Sequence, residues 1–133
     1  MTWDHLQEQV KILVGEINKH KYKKYEYIYG IPRGGLIPAT MMSHILEIPL
    51  ITTLDWEVMK HRILVVDDII DSGETIQRYQ RIFDTAAVLV KTGLPFTKKP
   101  TYYARLVEDD VWTVFPYEVG PEDSISKINI GDR

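Results

Sequence analysis

Residues 63–75, ILVVDDIIDSGET, constrain the fold more than any other segment of this chain. Ile63, Leu64, Val65 and Val66 form a continuous apolar run rich in branched side chains, which suits a strand buried on both faces of a parallel sheet. Asp67 and Asp68 follow at the carboxyl end of that strand, predicted over residues 63–67. In open α/β sheets this is the edge that binds ligands, so both acids are expected in a crevice. Asp71, Ser72, Gly73, Glu74 and Thr75 then form a small, hydroxyl-bearing turn into a helix starting near Glu74. Its converging N–H groups, the helix dipole and the Thr75 hydroxyl suit a phosphate. Like charge makes the two aspartates poor holders of that same phosphate, and ribose hydroxyls suit them better. A lone acid-Ser-Gly string, by contrast, is more often a strand end whose Asp71 or Ser72 caps the next helix.

The rest of the chain alternates helix and strand. Leu6, Val10, Leu13, Val14 and Ile17 recur at helical spacing and predict an amphipathic helix over about 3–20. Strands are predicted at 25–31 and, after a helix over 34–46, at 49–54 behind a proline. After the 63–67 strand, a helix is expected to run to about 83. Strands at 86–91, 102–107 and 112–115 follow, and then a polar tail. This order gives an α/β domain spanning 1–133, with its core at about 25–118.

With 133 residues the chain is long enough for one α/β core and too short for two. A net charge of -3 gives no general attraction to nucleic acid or anionic membrane. The absence of cysteine excludes disulfides, thiolate catalysis and Cys-ligated zinc. No apolar run approaches the ~20 residues that span a bilayer, and residues 1–10 lack the apolar centre of a signal peptide. A cytoplasmic location is the expectation.

A second motif closes the first strand. Gly30, Ile31, Pro32, Arg33, Gly34 and Gly35 read GIPRGG ahead of a helix, where glycines let backbone approach an anion and Arg33 can donate two parallel hydrogen bonds to a phosphate. Taken alone, it is equally a glycine-rich turn with a surface arginine. Lys91 ends the 86–91 strand, bringing an ammonium to the carboxyl edge of the same sheet. Trp112, in the run VWTVFPYE, can stack on a flat heterocycle. The plain alternatives are a solvated Lys91 and a core Trp112.

The 63–75 string resembles the 5-phosphoribosyl-1-pyrophosphate (PRPP) signature of type I phosphoribosyltransferases, and GIPRGG resembles their pyrophosphate loop. VLVKTG (88–93) and DVWTVFPYE (110–118) resemble the base-binding elements of the 6-oxopurine enzymes, especially the short bacterial xanthine-guanine type. The resemblance implies a single Rossmann-like domain with a mainly parallel five-stranded core sheet flanked by helices, and a small C-terminal base-binding hood region. It implies transfer of 5-phosphoribosyl from PRPP to guanine, xanthine or hypoxanthine, in purine salvage, with Mg²⁺ as cofactor and a dimer or tetramer as the assembly. Arg33 and Gly34 are then expected to hold pyrophosphate, with a cis peptide before Arg33. Asp67 and Asp68 are expected on ribose and, through water, on the metal, while Ser72, Gly73, Glu74 and Thr75 take the 5-phosphate. Asp71 would be catalytic, lying between ribose and base. Lys91 would meet the purine O6, Trp112 would stack, Thr113 would offer backbone groups, and Glu118 would approach the 2-position.

One departure stands out. The family inserts a long mobile hood between the second and third core strands, whereas here only residues 55–62, DWEVMKHR, occupy that place. Lys60, His61 and Arg62 are open to two readings, a solvated basic cluster or a source of pyrophosphate contacts. The short segment favours a rival reading, a noncatalytic PRPP or nucleotide-binding regulator on the same fold. An RNA-binding regulator is disfavoured by the acidic balance, since Lys19, Lys21, Lys23 and Lys24 form only a small basic cluster. A receiver-like signalling domain would carry its acidic pair after the first strand, and here the pair comes later.

Overall fold

The computed structural model describes residues 1–20 and 24–118; Lys21, Lys23 and the polar tail from 119 onward lie outside the described residues. The elements run α1 (Trp3–Asn18), β1 (Tyr27–Gly30), α2 (Leu36–Leu46), β2 (Leu50–Ile51), β3 (Ile63–Ile70), α3 (Glu74–Gln80), β4 (Asp84–Lys91) and β5 (Tyr102–Val107). All five strands join one sheet in the order β2-β1-β3-β4-β5, and every pairing is parallel. From β1 the chain moves outward to β2, then returns across β1 to β3 and continues the other way. The switch point therefore lies between β1 and β3, the two strands whose ends carry GIPRGG and the acidic pair.

Apolar residues fill both faces, as the continuous run of β3 requires. Leu64 and Val66 pack with Leu6, Val10, Leu13 and Val14 of α1 and with Ala39 and Met42 of α2. Ile63 and Val65 point to the opposite layer, with Ile76 of α3, Ala87 and Val90. Thr2 caps α1, its hydroxyl accepting from the His5 N–H at 3.1 Å.

Several boundaries move. β3 runs on past the predicted end to Ile70, because β4 continues to pair with it through Ile69 and Ile70. Pairing with β1, however, stops at Val66, so the two acids still emerge where one neighbour has ended. The side-chain alternation slips there too: Ile69 packs on the α1/α2 side and Ile70 on the α3 side. β2 keeps only Leu50–Ile51 of its predicted span, and α3 ends at Gln80. The strand predicted at 112–115 is absent; that stretch is irregular. Just before it the Val111 carbonyl turns inward to Lys91, while Phe115 is buried in the α1/α2 core and Pro116 has no N–H for a ladder.

Candidate active site

The acidic pair is built by its own backbone. The Asp68 N–H donates to Asp67 Oδ1 at 2.9 Å and the Ile69 N–H donates to Asp68 Oδ1 at 2.7 Å. The second oxygen of Asp68 accepts the Tyr117 hydroxyl at 2.8 Å. Burial and the neighbouring Asp68 carboxylate push the Asp67 carboxyl up to about 7. Tyr117 is itself held far above the usual phenol range, by burial first and then by Asp68. Two carboxylates this close, one of them reluctant to ionise, form a site that gains from a cation or from hydroxyl donors.

The pyrophosphate-loop candidate lies directly against them. Ile31 N–H donates to the Val66 carbonyl at 2.8 Å, extending the β1–β3 contact by one bond, and Gly35 N–H closes the turn on Ile31 O at 2.9 Å. A Cβ on Gly35 would come within 2.4 Å of the Val66 oxygen, and one on Gly34 within 2.0 Å of Asp68 Oδ2. Only glycine permits that approach at either position. The Pro32–Arg33 peptide is cis, as the resemblance implies, and Arg33 is exposed at the rim.

Asp67, Asp71, Ser72, Gly73 and Thr75 line a small cavity of about 100 Å³ at the β3–α3 turn. Gly73 has φ 82° and is the N-cap of α3 without any side-chain cap. Ser72 Oγ accepts the Glu74 N–H at 3.3 Å, a local bond within the turn. The residues of the predicted cradle thus border one cavity, with Asp67 and Asp71 on its wall. Larger hollows lie elsewhere: one of about 450 Å³, bordered by Tyr25, His61, Arg62 and Asp84, sits at the amino edge of the sheet. We place the candidate site at the small cavity because the 72–75 turn and Asp67 of the acidic pair meet there.

Residues 108–118 form a strap across the carboxyl edge from β5 toward β3. Lys91 is buried, and its ammonium donates to the carbonyls of Glu108 at 3.4 Å, Asp109 at 3.3 Å and Val111. An ammonium has three N–H donors, so a purine oxygen must share or displace one of these carbonyls. Asp109 Oδ1 accepts the Gly93 N–H at 2.8 Å, fixing the strap to the turn after β4. Phe115 is buried and Tyr117 stacks on it with ring centres 5.4 Å apart. Trp112 stands 85% exposed, so it is not a core residue and its face is open to a planar ligand. Thr113 is half-buried beside it. Glu118 folds back, accepting the Phe115 N–H at 2.9 Å, and this local bond occupies one of its oxygens.

Sequence reasoning passed over Tyr117, whose hydroxyl ties the 108–118 strap to the acidic pair; tyrosine after FP reads simply as core. Of the two readings open for the basic residues of the short β2–β3 segment, pyrophosphate contact is not supported, since His61 and Arg62 lie at the opposite edge of the sheet. Arg62 O accepts from Glu26 and Tyr27 N–H at the start of β1, and His61 pairs with Glu26 at 2.9 Å. Both sit at the amino edge of the sheet, remote from the crevice. Lys60 is paired with Glu57 at 3.2 Å.

The chain was compared with known proteins. No protein-family model matches it. The xanthine-guanine phosphoribosyltransferase of Gluconobacter oxydans is 27% identical, across 91% of this chain and 84% of that protein. The crystal structure of a purine phosphoribosyltransferase from Pyrococcus horikoshii superposes with a TM-score of 0.72 at 26% identity, covering 91% of this chain and 94% of the other. In sequence and fold the chain is similar to type I purine phosphoribosyltransferases. A hypothetical protein from Neisseria gonorrhoeae with bound ppGpp shares the phosphoribosyltransferase-like fold at 23% identity and a TM-score of 0.74, covering 100% of this chain and 96% of the other.

The phosphoribosyltransferase-like site also bears on a metal. Among the described residues no group of three His, Asp or Glu side chains forms a protein cage. Two adjacent carboxylates are a sparse donor set, which fits Mg²⁺, an ion that keeps several waters and takes its remaining ligands from substrate phosphates.

Proposed function

We propose that this chain transfers 5-phosphoribosyl from PRPP to a 6-oxopurine, giving a nucleoside monophosphate and pyrophosphate. The observation that carries the reading is the meeting of three elements at one switch point: the glycine loop after β1, the acidic pair of β3 and the open-amide turn before α3.

Loss of pyrophosphate from the ribose C1 develops oxocarbenium character, so the protein has to position the ring, favour positive charge there and hold the leaving group. In the proposal the 72–75 turn takes the 5-phosphate, and Asp67 and Asp68 accept the ribose hydroxyls. Arg33 and the Gly34 backbone take the pyrophosphate. Mg²⁺, when bound, neutralises pyrophosphate charge, with Asp67 and Asp68 the residues to hold its water shell. Asp71, exposed on the cavity wall, is assigned to the cationic centre or to the purine imidazole proton. Trp112 covers the base, Thr113 offers backbone groups, and Lys91 shares its ammonium between the strap and the purine O6. The Glu118 assignment has the least support, because that carboxylate serves Phe115.

A second reading has one observation in its favour. The 55–62 segment must return from the carboxyl to the amino edge, and it contains a single 3-10 turn, Val58–Lys60, with no length left for a hood. A noncatalytic PRPP or nucleotide sensor needs none.

The test is incubation of the purified chain with PRPP and Mg²⁺ and, separately, guanine, xanthine, hypoxanthine or adenine, following nucleotide formation. Turnover with an oxopurine is expected, and adenine-only turnover would remove the Lys91 role. PRPP binding without any transfer would replace the enzyme by the sensor. Asp71→Asn should lower turnover by about 100-fold, the usual scale for an acid–base group, with PRPP affinity nearly kept; equal retention of both would exclude its catalytic role.

A further inference from the structure

The connection between β4 and β5 lies alongside α3 and ends on the phosphate turn. Residues Phe96–Lys98 form a 3-10 turn. Lys98 N–H donates to Pro95 O at 2.9 Å and Lys99 N–H to Phe96 O at 3.2 Å. From α3, the Gln80 side-chain amide donates to the carbonyls of Lys98 and Lys99 at 3.3 and 2.8 Å. The backbone of Lys98 is therefore pinned from both sides. Its stem crosses Gly73: a Cβ built there meets Lys98 Cβ at 3.0 Å, Cδ at 3.1 Å and Cγ at 3.4 Å. The ammonium is two bonds beyond that Cδ, which keeps it close to the turn.

The charge around this turn is one-sided. Asp67 and Asp71 line the cavity and Glu74 begins the helix. A phosphate entering here meets the Asp67 and Asp71 carboxyl groups, and backbone amides at the start of a two-turn helix offset only part of that repulsion. Lys98 is half-buried and makes no ion pair with any described residue. A cation without a partner, pressed by its own stem against an acidic anion cradle, is matched to the anion.

We infer that Lys98 is a binding residue for the 5-phosphate of a phosphoribosyl ligand, its ammonium reaching over the 72–75 turn and distinguishing phosphorylated from unphosphorylated ribose. This rests on the phosphoribosyltransferase reading above. The role belongs to the β4–β5 connection, a segment outside all the motifs read from the sequence.

The experiment is calorimetric titration of the full chain and of Lys98→Gln and Lys98→Arg with three probes: PRPP with Mg²⁺, guanosine monophosphate, and inorganic pyrophosphate with Mg²⁺. K98Q should weaken PRPP and guanosine monophosphate by about tenfold or more, the usual scale of one charge-assisted hydrogen bond. Pyrophosphate affinity should stay within about twofold, since that anion seats at the other loop and feels only one changed charge at a distance. K98R should recover most of the loss. A K98Q protein that binds PRPP and the monophosphate as the parent does overturns the assignment alone. Parallel loss of pyrophosphate binding and thermal stability makes Lys98 a structural residue and also overturns it. A parent chain that binds neither phosphoribosyl probe overturns the phosphoribosyltransferase reading, and this inference falls with it.

Discussion

Asp67 shows how a functional residue sets itself against stability. In the unfolded chain its carboxyl loses its proton near the ordinary value of 3.8, whereas in the fold it is pushed up to about 7 by burial and by Asp68. Between these limits the folded state binds more protons than the unfolded one. Stability contributed by this group is therefore full below about pH 4, falls as pH rises toward 7, and is flat above. Three pH units correspond to an upper bound of about 4 kcal/mol at about 1.36 kcal/mol per unit, of which about half survives relaxation and solvent screening. Asp67→Asn should accordingly stabilise the ligand-free protein by about 1–3 kcal/mol at pH 8 and by nearly nothing at pH 4. Urea unfolding at the two pH values reads this directly. On the proposed reading, in which Asp67 serves the ribose and the metal's water shell, the same variant should lose PRPP affinity in the presence of Mg²⁺. A variant that is less stable at pH 8 would show that Asp67 is a structural carboxylate.

Among the elements, the β1–α2 loop separates packing from function most sharply. At Gly35 an added methyl meets main-chain oxygens of Val66 and Ile31, at 2.4 and 2.7 Å, that cannot turn aside. At Gly34 it meets the Asp68 carboxylate, a side chain that can rotate if it gives up Tyr117. Gly35→Ala is expected to destabilise by about 2–4 kcal/mol, in the range of overpacked and strained sites. Gly34→Ala should cost about 1 kcal/mol or less while weakening PRPP binding more than tenfold, because Asp68 leaves its place. Thermal melts paired with PRPP titration separate the two, and equal melting temperatures would refute the distinction.

The same scale explains what the sequence made legible. α1, β3 and β4 announce themselves through sustained periodicity or unbroken apolar runs, and GIPRGG and DDIIDSGET carry their turn chemistry in adjacent residues. The strap does not. Its course depends on Lys91 drawing in carbonyls roughly twenty positions later, and on Tyr117 meeting Asp68 across 49 positions. No local pattern records such long-range bonds, so WTVF, residues 112–115, was read as a strand. Lys98 was invisible for the same reason: only the docking of the β4–β5 connection on α3 brings it to Gly73.

For the whole molecule, the sheet order decides how the crevice is covered. Because β2 is the outer neighbour of β1, the 52–62 connection must cross β1 to enter β3 at its amino edge, where Glu26 and Tyr27 N–H bond to Arg62 O. That route leads away from the ligand edge. Among the described residues only the 108–118 strap spans the carboxyl ends of the central strands; on the proposed reading it covers the base side of the site and leaves the ribose side open. An open oxocarbenium-like centre admits water as a competing acceptor, which closed sites exclude. On the proposed reaction, the chain should therefore release pyrophosphate from PRPP without any base, at a rate at least about tenfold above the protein-free reaction with Mg²⁺. Adding guanine should convert that flux to nucleotide, and Trp112→Ala, which removes the face that seats the base, should shift the balance back toward hydrolysis. Pyrophosphate release and nucleotide formation measured on the same samples give the partition. Strict dependence of pyrophosphate release on base would mean that another segment or a second copy closes the ribose side, and would return the missing hood to some part of the assembly beyond these residues.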